Sequence, residues 1–551
     1  MTCTIAFVGA GPTTLYTLNA LFEQGVTGAE ITVYEVQASA GLGSPYRPGW
    51  NDPAMLSNIA SIEIPPVNET LLAWLRGQSS AQLQAIGVDV SEVNDRAFMP
   101  RVVLGRYFEE QFQVLVERIR AAGNRVEICT GVRVVDAANT PEGMLLTLTP
   151  AQGGAASQAR FDHVVLATGH QWPSQQEVRP GYFLSPWPAA SLAAVGSVDV
   201  GIRGSSLTAM DAAVAIAGAH GGFVRQDEGL VYEAAPGTEG LSITMMSRKG
   251  LLPEADFYFP LPHAPLEICT AEAIEALKPE EGDLLDAVFD LFRSELLAVD
   301  PAYAEAKGLA EATLETFSEA YFAERAAVDP FDLAAENLKE ARENHAAQIT
   351  VPWRDAILRM HEVVASIVPR LDAGQFERFS RLFKPVFVDT YGAVPHESVE
   401  RMLALHRAGK LQVLALGDDY RLDTHRPEGG VLLSLDGEQR HFPVFIEATG
   451  QKPLGAIQFP FLSLLEQGIV RDQTSGDAAE TSRGIVIDDV FHPIADNVPE
   501  DRLFCLSLPF IMGRHPFVQG ITSSHEMGEI VGRQLAQALR NGASGALANA
   551  A

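Results

Sequence analysis

Cysteine is scarce in this 551-residue chain: Cys3, Cys129, Cys269 and Cys505 are the four present, and no two form a C-x-x-C pair. Spacings this wide suggest neither a disulfide framework nor a cysteine metal site, so no metal is expected. They also argue against the paired-thiol chemistry of flavoprotein disulfide reductases. Positive charge is short as well. Lys and Arg total 40 against 70 Asp and Glu, a formal net charge of −30, and basic clusters are only two or three residues long. Nucleic acid and anionic membrane both require a basic face, so neither is an expected partner. No apolar run reaches the length that spans a bilayer. No basic segment precedes the first apolar run at Ile5, so no signal peptide is indicated and the expected location is cytoplasmic. Solenoid-length repeats are missing, and low complexity is confined to the Ala/Gly-rich tail after Asn541. The remainder, 47% hydrophobic and 20% charged, is ordinary globular composition in a chain long enough for two or three domains.

The densest signal lies in the first 35 residues. An apolar run, Ile5 to Val8, enters Gly9-Ala10-Gly11-Pro12-Thr13-Thr14, and a second run, Ile31 to Tyr34, ends on Glu35. This order predicts strand, glycine turn, helix and strand, the layout of a dinucleotide site. Gly9 permits the tight turn, and Gly11 lets the backbone approach a pyrophosphate at the positive end of the following helix. Glu35, 24 residues beyond Gly11, is placed to accept hydrogen bonds from an adenosine ribose. Thr14 stands where a third glycine is usual, a small residue that still allows helix and strand to pack.

A second, looser copy begins near Val198. Val198 to Arg203 reads as a strand, Gly204-Ser205-Ser206-Leu207-Thr208-Ala209-Met210-Asp211 as a turn entering a helix, and Ile243 to Met246 as the next strand. Between them, about Gly221 to Gly240, lies a polar, Gly-rich insertion. Ser206 replaces the second glycine, which adds bulk but also a hydroxyl. Ser247, Arg248 and Lys249 follow the strand where NADH sites carry an acid; cations there suit a 2′-phosphate, so NADPH is favoured over NADH. Whether this second site works is left open by the residues alone.

Each turn is followed later by an apolar strand ending in Ala-Thr-Gly: Phe161 to Leu166 before Ala167-Thr168-Gly169, and Phe445-Ile446-Glu447 before Ala448-Thr449-Gly450. Val126 to Cys129, Gly131 to Val135 and Met144 to Leu148 read as a small meander. From about 265 to 375 the pattern turns helical, as in the spacing of Leu284, Val288, Phe289, Leu291 and Phe292. The last section, Leu503 to about Leu539, reads as a strand, a loop and a closing helix from near Ser523. The expected class is α/β, two Rossmann-like dinucleotide-binding domains with a mostly helical insert. Its segments are 1–197 (FAD-binding, first part), 198–264 (NAD(P)-binding-like, first part), 265–380 (helical insert), 381–455 (NAD(P)-binding-like, second part) and 456–551 (FAD-binding, second part).

Two turns with two Ala-Thr-Gly ends resemble flavoproteins in which one domain holds FAD and the other presents a nicotinamide. In that layout the returning chain completes the flavin site, and Gly520-Ile521 would open a helix toward the flavin or a substrate anion. Arg514, His515 and Gln519 lie in the loop before it, with Arg514 the candidate for a substrate carboxylate. No catalytic motif is visible. The turns, the stretch from Gly41-Leu42-Gly43 to Leu56-Ser57-Asn58, the segment Met246 to Phe257 and Ala448-Thr449-Gly450 together resemble the bacterial FAD/NAD(P)-binding proteins. That group is similar to flavin-dependent amino-acid N-monooxygenases. The resemblance implies that Gly9, Gly11 and Glu35 hold the ADP half of FAD, and that Asn58 lies near the isoalloxazine. It also implies that Thr168 and Gly169 pass beside the cofactor; Pro12, Thr13 and Thr14 are further cofactor-binding candidates. Gly204, Ser205, Ser206, Arg248 and Lys249 are the candidates for the nicotinamide coenzyme. The implied activity is an FAD- and NADPH-dependent monooxygenase acting on a small polar substrate. A flavin oxidase or dehydrogenase, an electron-transfer reductase and a non-catalytic FAD-bound binding protein stay open, as does a homodimer formed through the insert helices.

Overall fold

The computed structural model describes residues 3–173, 175–227, 229–278, 282–473, 483–518 and 520–548, with backbone alone from 542. The chain divides into two units. One comprises Met1–Pro48, Ile59–Gln171 and Gln451–Ala551, the other Gly49–Asn58 and Trp172–Gly450.

In the first unit a five-stranded sheet runs in the order Leu503–Cys505, His163–Leu166, Thr4–Val8, Glu30–Glu35, Arg125–Thr130, and every pairing is parallel. A parallel sheet covered on both faces needs strands apolar on both sides. Ile5, Ala6 and Phe7, consecutive and each with no exposed surface, are such a strand. Helices Pro12–Glu23, Arg101–Ala121 and Ile521–Ala548 contribute Leu15, Leu18, Phe108, Leu115, Val531 and Leu535 to the same core.

Two local readings need correction. Arg125–Thr130 is the sheet's edge strand, with Ile31 opposite Val126, and not the first strand of the meander. The meander is Val132–Thr140, Gly143–Pro150 and Ser157–Phe161. The apolar run from Phe161 to Leu166 is likewise two strands, in different sheets, because Asp162 interrupts it. The Asp162 carboxylate accepts from the Thr4 amide at 2.7 Å and the Thr4 hydroxyl at 2.9 Å, which turns the chain where the pattern alone shows continuity.

The second unit carries a six-stranded sheet in the order Leu411–Ala415, Ser242–Ser247, Asp199–Arg203, Val444–Glu447, Tyr182–Phe183, Glu177–Arg179, antiparallel only at its last pairing. The small side chains of the helix Leu207–Ala219 let it sink into the core, with Ala209, Ala212, Ala213 and Ile216 fully buried. The Gly-rich insertion is an antiparallel hairpin, Gly221–Gln226 with Gly229–Ala234. The insert's helices continue past the expected boundary at 380, and among them are Leu284–Val299, Leu314–Ala326, Pro330–Ala347, Pro352–Ala365 and Lys384–Tyr391. An aromatic core joins three of them: Phe292 meets Phe317 at 5.5 Å, Phe383 at 4.9 Å and Phe387 at 5.7 Å, each edge-on. Edge-to-face rings add to area burial in holding such a core. Among the described residues no helix is long and apolar enough to cross a membrane.

The closing helix lies unusually near the first helix. A Cβ on Gly528 would stand 2.8 Å from the Thr17 amide nitrogen, and one on Gly532 2.6 Å from the Ala20 Cβ and 2.7 Å from the Leu21 nitrogen. Backbone cannot yield as a side chain does, so alanine here overpacks the contact even though it favours helix by about 1 kcal/mol. Gly532→Ala is expected to lower unfolding stability by about 1–3 kcal/mol in urea titrations followed by circular dichroism. Unchanged or raised stability would show the helices free to separate.

Candidate functional site

The first turn is built as much by its neighbours as by its own glycines. Gly9 has φ +101°, and a Cβ there would lie 2.3 Å from the Ala167 carbonyl oxygen, so only glycine lets the turn press against the end of the strand His163–Leu166. Its amide donates to the Tyr34 carbonyl at 2.8 Å. Glu35 is buried, and both carboxylate oxygens accept backbone N–H groups: Oε2 from Ala10 at 3.0 Å, Oε1 from Gln37 at 2.9 Å. Arg47 approaches Oε1 at 3.9 Å. Each oxygen keeps further acceptor capacity for a ribose. Thr14, fully buried in the third glycine's place, donates its hydroxyl to the Gly9 carbonyl at 2.6 Å, so this departure becomes a brace across the turn.

Gly11 is the N-cap of the first helix and Pro12 its first residue; no side chain caps the helix, and its first turn holds no acid. A Cβ on Gly11 would come 3.3 Å from the Gly43 Cα, and one on Gly43 2.7 Å from the Pro12 ring. The glycine at this place therefore admits a second backbone segment, tied by the Gly41 amide donating to the Ala10 carbonyl at 2.7 Å. An uncapped helix end, positive by its dipole and flanked by side-chain-free backbone, fits a dinucleotide pyrophosphate.

The returning segment meets this site. The Thr13 hydroxyl donates to the Ser524 hydroxyl at 3.1 Å, which sets the start of the closing helix, Ile521, beside the start of the first. That helix begins two residues before the expected Ser523 and likewise has no acid in its first turn. Gly520 is exposed in front of it, and Ile521 is buried. Thr168 pairs its hydroxyl with that of Ser507 at 2.8 Å, and Gly169 follows at φ +68° with open space about it. Beyond it, burial holds His170 down at about 4.

The candidate substrate residues are less free than their loop position suggests. Arg514 is bonded to the exposed carboxylate of Asp489. His515 stacks on Phe491 at 4.9 Å, and burial, with help from Arg514, lowers its imidazole to about 4, so it is neutral at physiological pH. Gln519 lies outside the described residues. Asn58 is exposed and belongs to the second unit, at the end of the segment Gly49–Asn58, whose Met55 is buried in that unit's core.

The second turn repeats the first nearly atom for atom. Gly204 has φ +141°, its Cβ would fall 2.3 Å from the Ala448 carbonyl oxygen, and its amide donates to the Met246 carbonyl at 2.7 Å. Ser206 is the N-cap of the helix Leu207–Ala219 but makes no capping bond, and its side chain is exposed. The last residue of the adjacent strand differs. Ser247 stands where the first unit has Glu35, and Ser205 where it has Ala10. Their hydroxyls are 2.9 Å apart, and Ser205 donates to the Leu251 carbonyl at 2.6 Å. The cations diverge: Arg248 is exposed, whereas Lys249 folds back over the Phe322 ring.

Sequence reasoning missed Ser507, which has no signature, and the role of Gly41 and Gly43 in closing the first turn. A pair of glycines some thirty residues after the motif was the available sign of a close backbone approach.

Residues 6–171 match the family described as FAD-NAD(P)-binding, and residues 270–391 match the YdhS-like middle domain. The chain is 42% identical over 535 residues to the uncharacterized protein YdhS of Escherichia coli (strain K12), covering 96% of each. Among solved structures it is similar to ornithine hydroxylase (PvdA) from Pseudomonas aeruginosa, with a TM-score of 0.51 and 12% identity over 98% of this chain and 99% of that one. The ornithine N-hydroxylase KtzI of Kutzneria sp. 744 gives 0.50 and 12% over the same shares. At such identity the likeness to these two is one of fold. The chain belongs to the YdhS family, with an FAD-NAD(P)-binding domain and a YdhS-like middle domain.

Proposed function

We propose that this protein is an FAD-dependent, NADPH-using monooxygenase that acts on a small, polar, amino-acid-like substrate. The observation that carries the reading is the doubled turn: two glycine bends pressed on two Ala-Thr-Gly strand ends, in a fold shared over nearly its full length with ornithine N-hydroxylases. FAD, when bound, would supply the redox chemistry, in which the two electrons of a nicotinamide hydride and O₂ place one oxygen atom on the substrate and release the other as water.

The chain's own part is to bind, orient and exclude water. Gly9, Gly11, Pro12, Thr13 and Thr14 would cradle the FAD pyrophosphate at the uncapped helix end, with Glu35 on the ribose. Thr168, Gly169, Gly520 and Ile521 would flank the flavin. Gly204, Ser205 and Ser206 would take the coenzyme pyrophosphate, and Arg248 the 2′-phosphate, since Ser247 and the cations after it do not repel that group as an acid would. A neutral His515 would add no proton donor of its own charge to the pocket, which suits an oxygen transfer that protons would divert. Arg514 would reach a substrate carboxylate by exchanging Asp489 for it.

Purified protein is expected to be yellow and to release FAD on denaturation. With an amino-acid panel, the matching substrate should couple NADPH oxidation and O₂ uptake to a hydroxylated product with little peroxide. Peroxide formed mole for mole with NADPH consumed would instead mark an oxidase, and a flavin that NADPH does not reduce would mark a binding protein. Glu35→Gln should weaken FAD binding by about tenfold to a hundredfold, the strength of a hydrogen bond to a charged group, read by flavin fluorescence; unchanged affinity would remove Glu35 from the site. Arg248→Ala should raise KM for NADPH by about tenfold or more and leave NADH unaffected. Equal effects on both coenzymes would sink the 2′-phosphate assignment.

A further inference from the structure

Lys249 is the cation of the second turn that the coenzyme reading alone does not account for. It follows the strand Ser242–Ser247, in a loop that the Ser205 hydroxyl ties to the turn through Ser247 and Leu251. Instead of standing in solvent like Arg248, it lays its ammonium over Phe322, 2.9 Å from the ring centroid, on the insert helix Leu314–Ala326. Phe322 sits in a charged and aromatic assembly. Tyr321, edge-on to it at 4.7 Å, donates to Asp389, which also pairs with Arg325. Glu254 forms ion pairs with Arg325 at 3.6 Å and Arg354 at 3.2 Å. Within this assembly both guanidinium groups have carboxylate partners, while Lys249 has a ring face.

We propose that Lys249 serves two competing partners, the Phe322 ring of the insert and the 2′-phosphate of bound NADP(H), so that coenzyme binding and the contact between strand end and insert are thermodynamically linked. The inference rests on the second turn being an NADPH site. A cation–π contact is weak enough to be exchanged for a phosphate dianion, and whatever free energy holds Lys249 on the ring must be given up when the phosphate takes it. The groups acting on its charge are Arg248 on its own loop, Arg325 on the helix of Phe322, and Asp389 on Lys384–Tyr391. Burial pulls the ammonium down to about 8, Arg248 and Arg325 reinforce the fall, and Asp389 opposes it. Lys249 is then mostly charged at pH 7 and mostly neutral at pH 9.5. A 2′-phosphate raises its pKa again, so NADP⁺ affinity falls as pH rises through that range.

The test is a binding cycle on the FAD-loaded protein, with Kd for NADP⁺ and NAD⁺ measured from pH 7 to 9.5 in wild type, Lys249→Met, Phe322→Leu and the double variant. Wild type should lose about tenfold in NADP⁺ affinity across the range, with NAD⁺ flat. Lys249→Met should flatten the NADP⁺ profile at the weak, high-pH level. Phe322→Leu, by removing the competing seat, should tighten NADP⁺ about threefold to tenfold at pH 7, and should have no effect once Lys249 is Met. The proposal is overturned if Phe322→Leu leaves NADP⁺ affinity unchanged, shifts NAD⁺ equally, or acts alike in the Lys249→Met background. Failure of both coenzymes to bind would overturn the functional reading with it, an outcome distinct from binding with an unlinked profile.

Discussion

One constraint governs both nucleotide-type turns: a main-chain carbonyl occupies the space a side chain would need. At Gly9 and Gly204 a Cβ would lie 2.3 Å from the carbonyl oxygen of Ala167 or Ala448. Each turn is thereby set against the end of the strand that pairs beside it, Thr4–Val8 with His163–Leu166 and Asp199–Arg203 with Val444–Glu447. The helix that follows each turn then begins with no side-chain cap. The helix dipole supplies the electrostatics; the glycine supplies the geometry that aims it.

The two units part company at the next strand. In the first, Glu35 closes its strand as a buried carboxylate held by two backbone N–H groups, an acceptor whose position is settled before any ligand arrives. In the second, Ser205 and Ser247 make a neutral hydroxyl pair in the corresponding place, and the charge nearby is positive. A buried acid is tolerated only where such donors meet it. Neutral hydroxyls need less compensation and leave the surrounding field open to an anion. The same architecture thus ends its strand on a buried carboxylate in one unit and on neutral hydroxyls beside cations in the other.

The helical insert is held together by its aromatic core and tied to the loop after Ser247 by charge. Asp389, Glu254, Arg325 and Arg354 join the loop after Ser247 to three helices of the insert, with Lys249 on Phe322 at the margin. Breaking one partner of a buried ionic set strands the others, so such a set favours one arrangement over its near alternatives. The closing helix is fixed by the opposite means, by removing side chains until two backbones touch at Gly528 and Gly532.

The sequence by itself determined the α/β class, the two turns, the Ala-Thr-Gly ends and the helical character of the insert. All of these are local signals: a turn conformation that only glycine adopts readily, an apolar run, a helical period. What it could not carry were contacts between distant residues. Thr13 finds Ser524, Thr168 finds Ser507, Gly11 finds Gly43, and Asp162 cuts an apparently continuous strand by capturing Thr4. Arg248 and Lys249 are neighbours with the same charge, and only tertiary structure sends one to solvent and the other onto an aromatic ring more than seventy residues away. The physical reason is that a side chain's partners are chosen by where the backbone is carried after packing, and no local pattern encodes that.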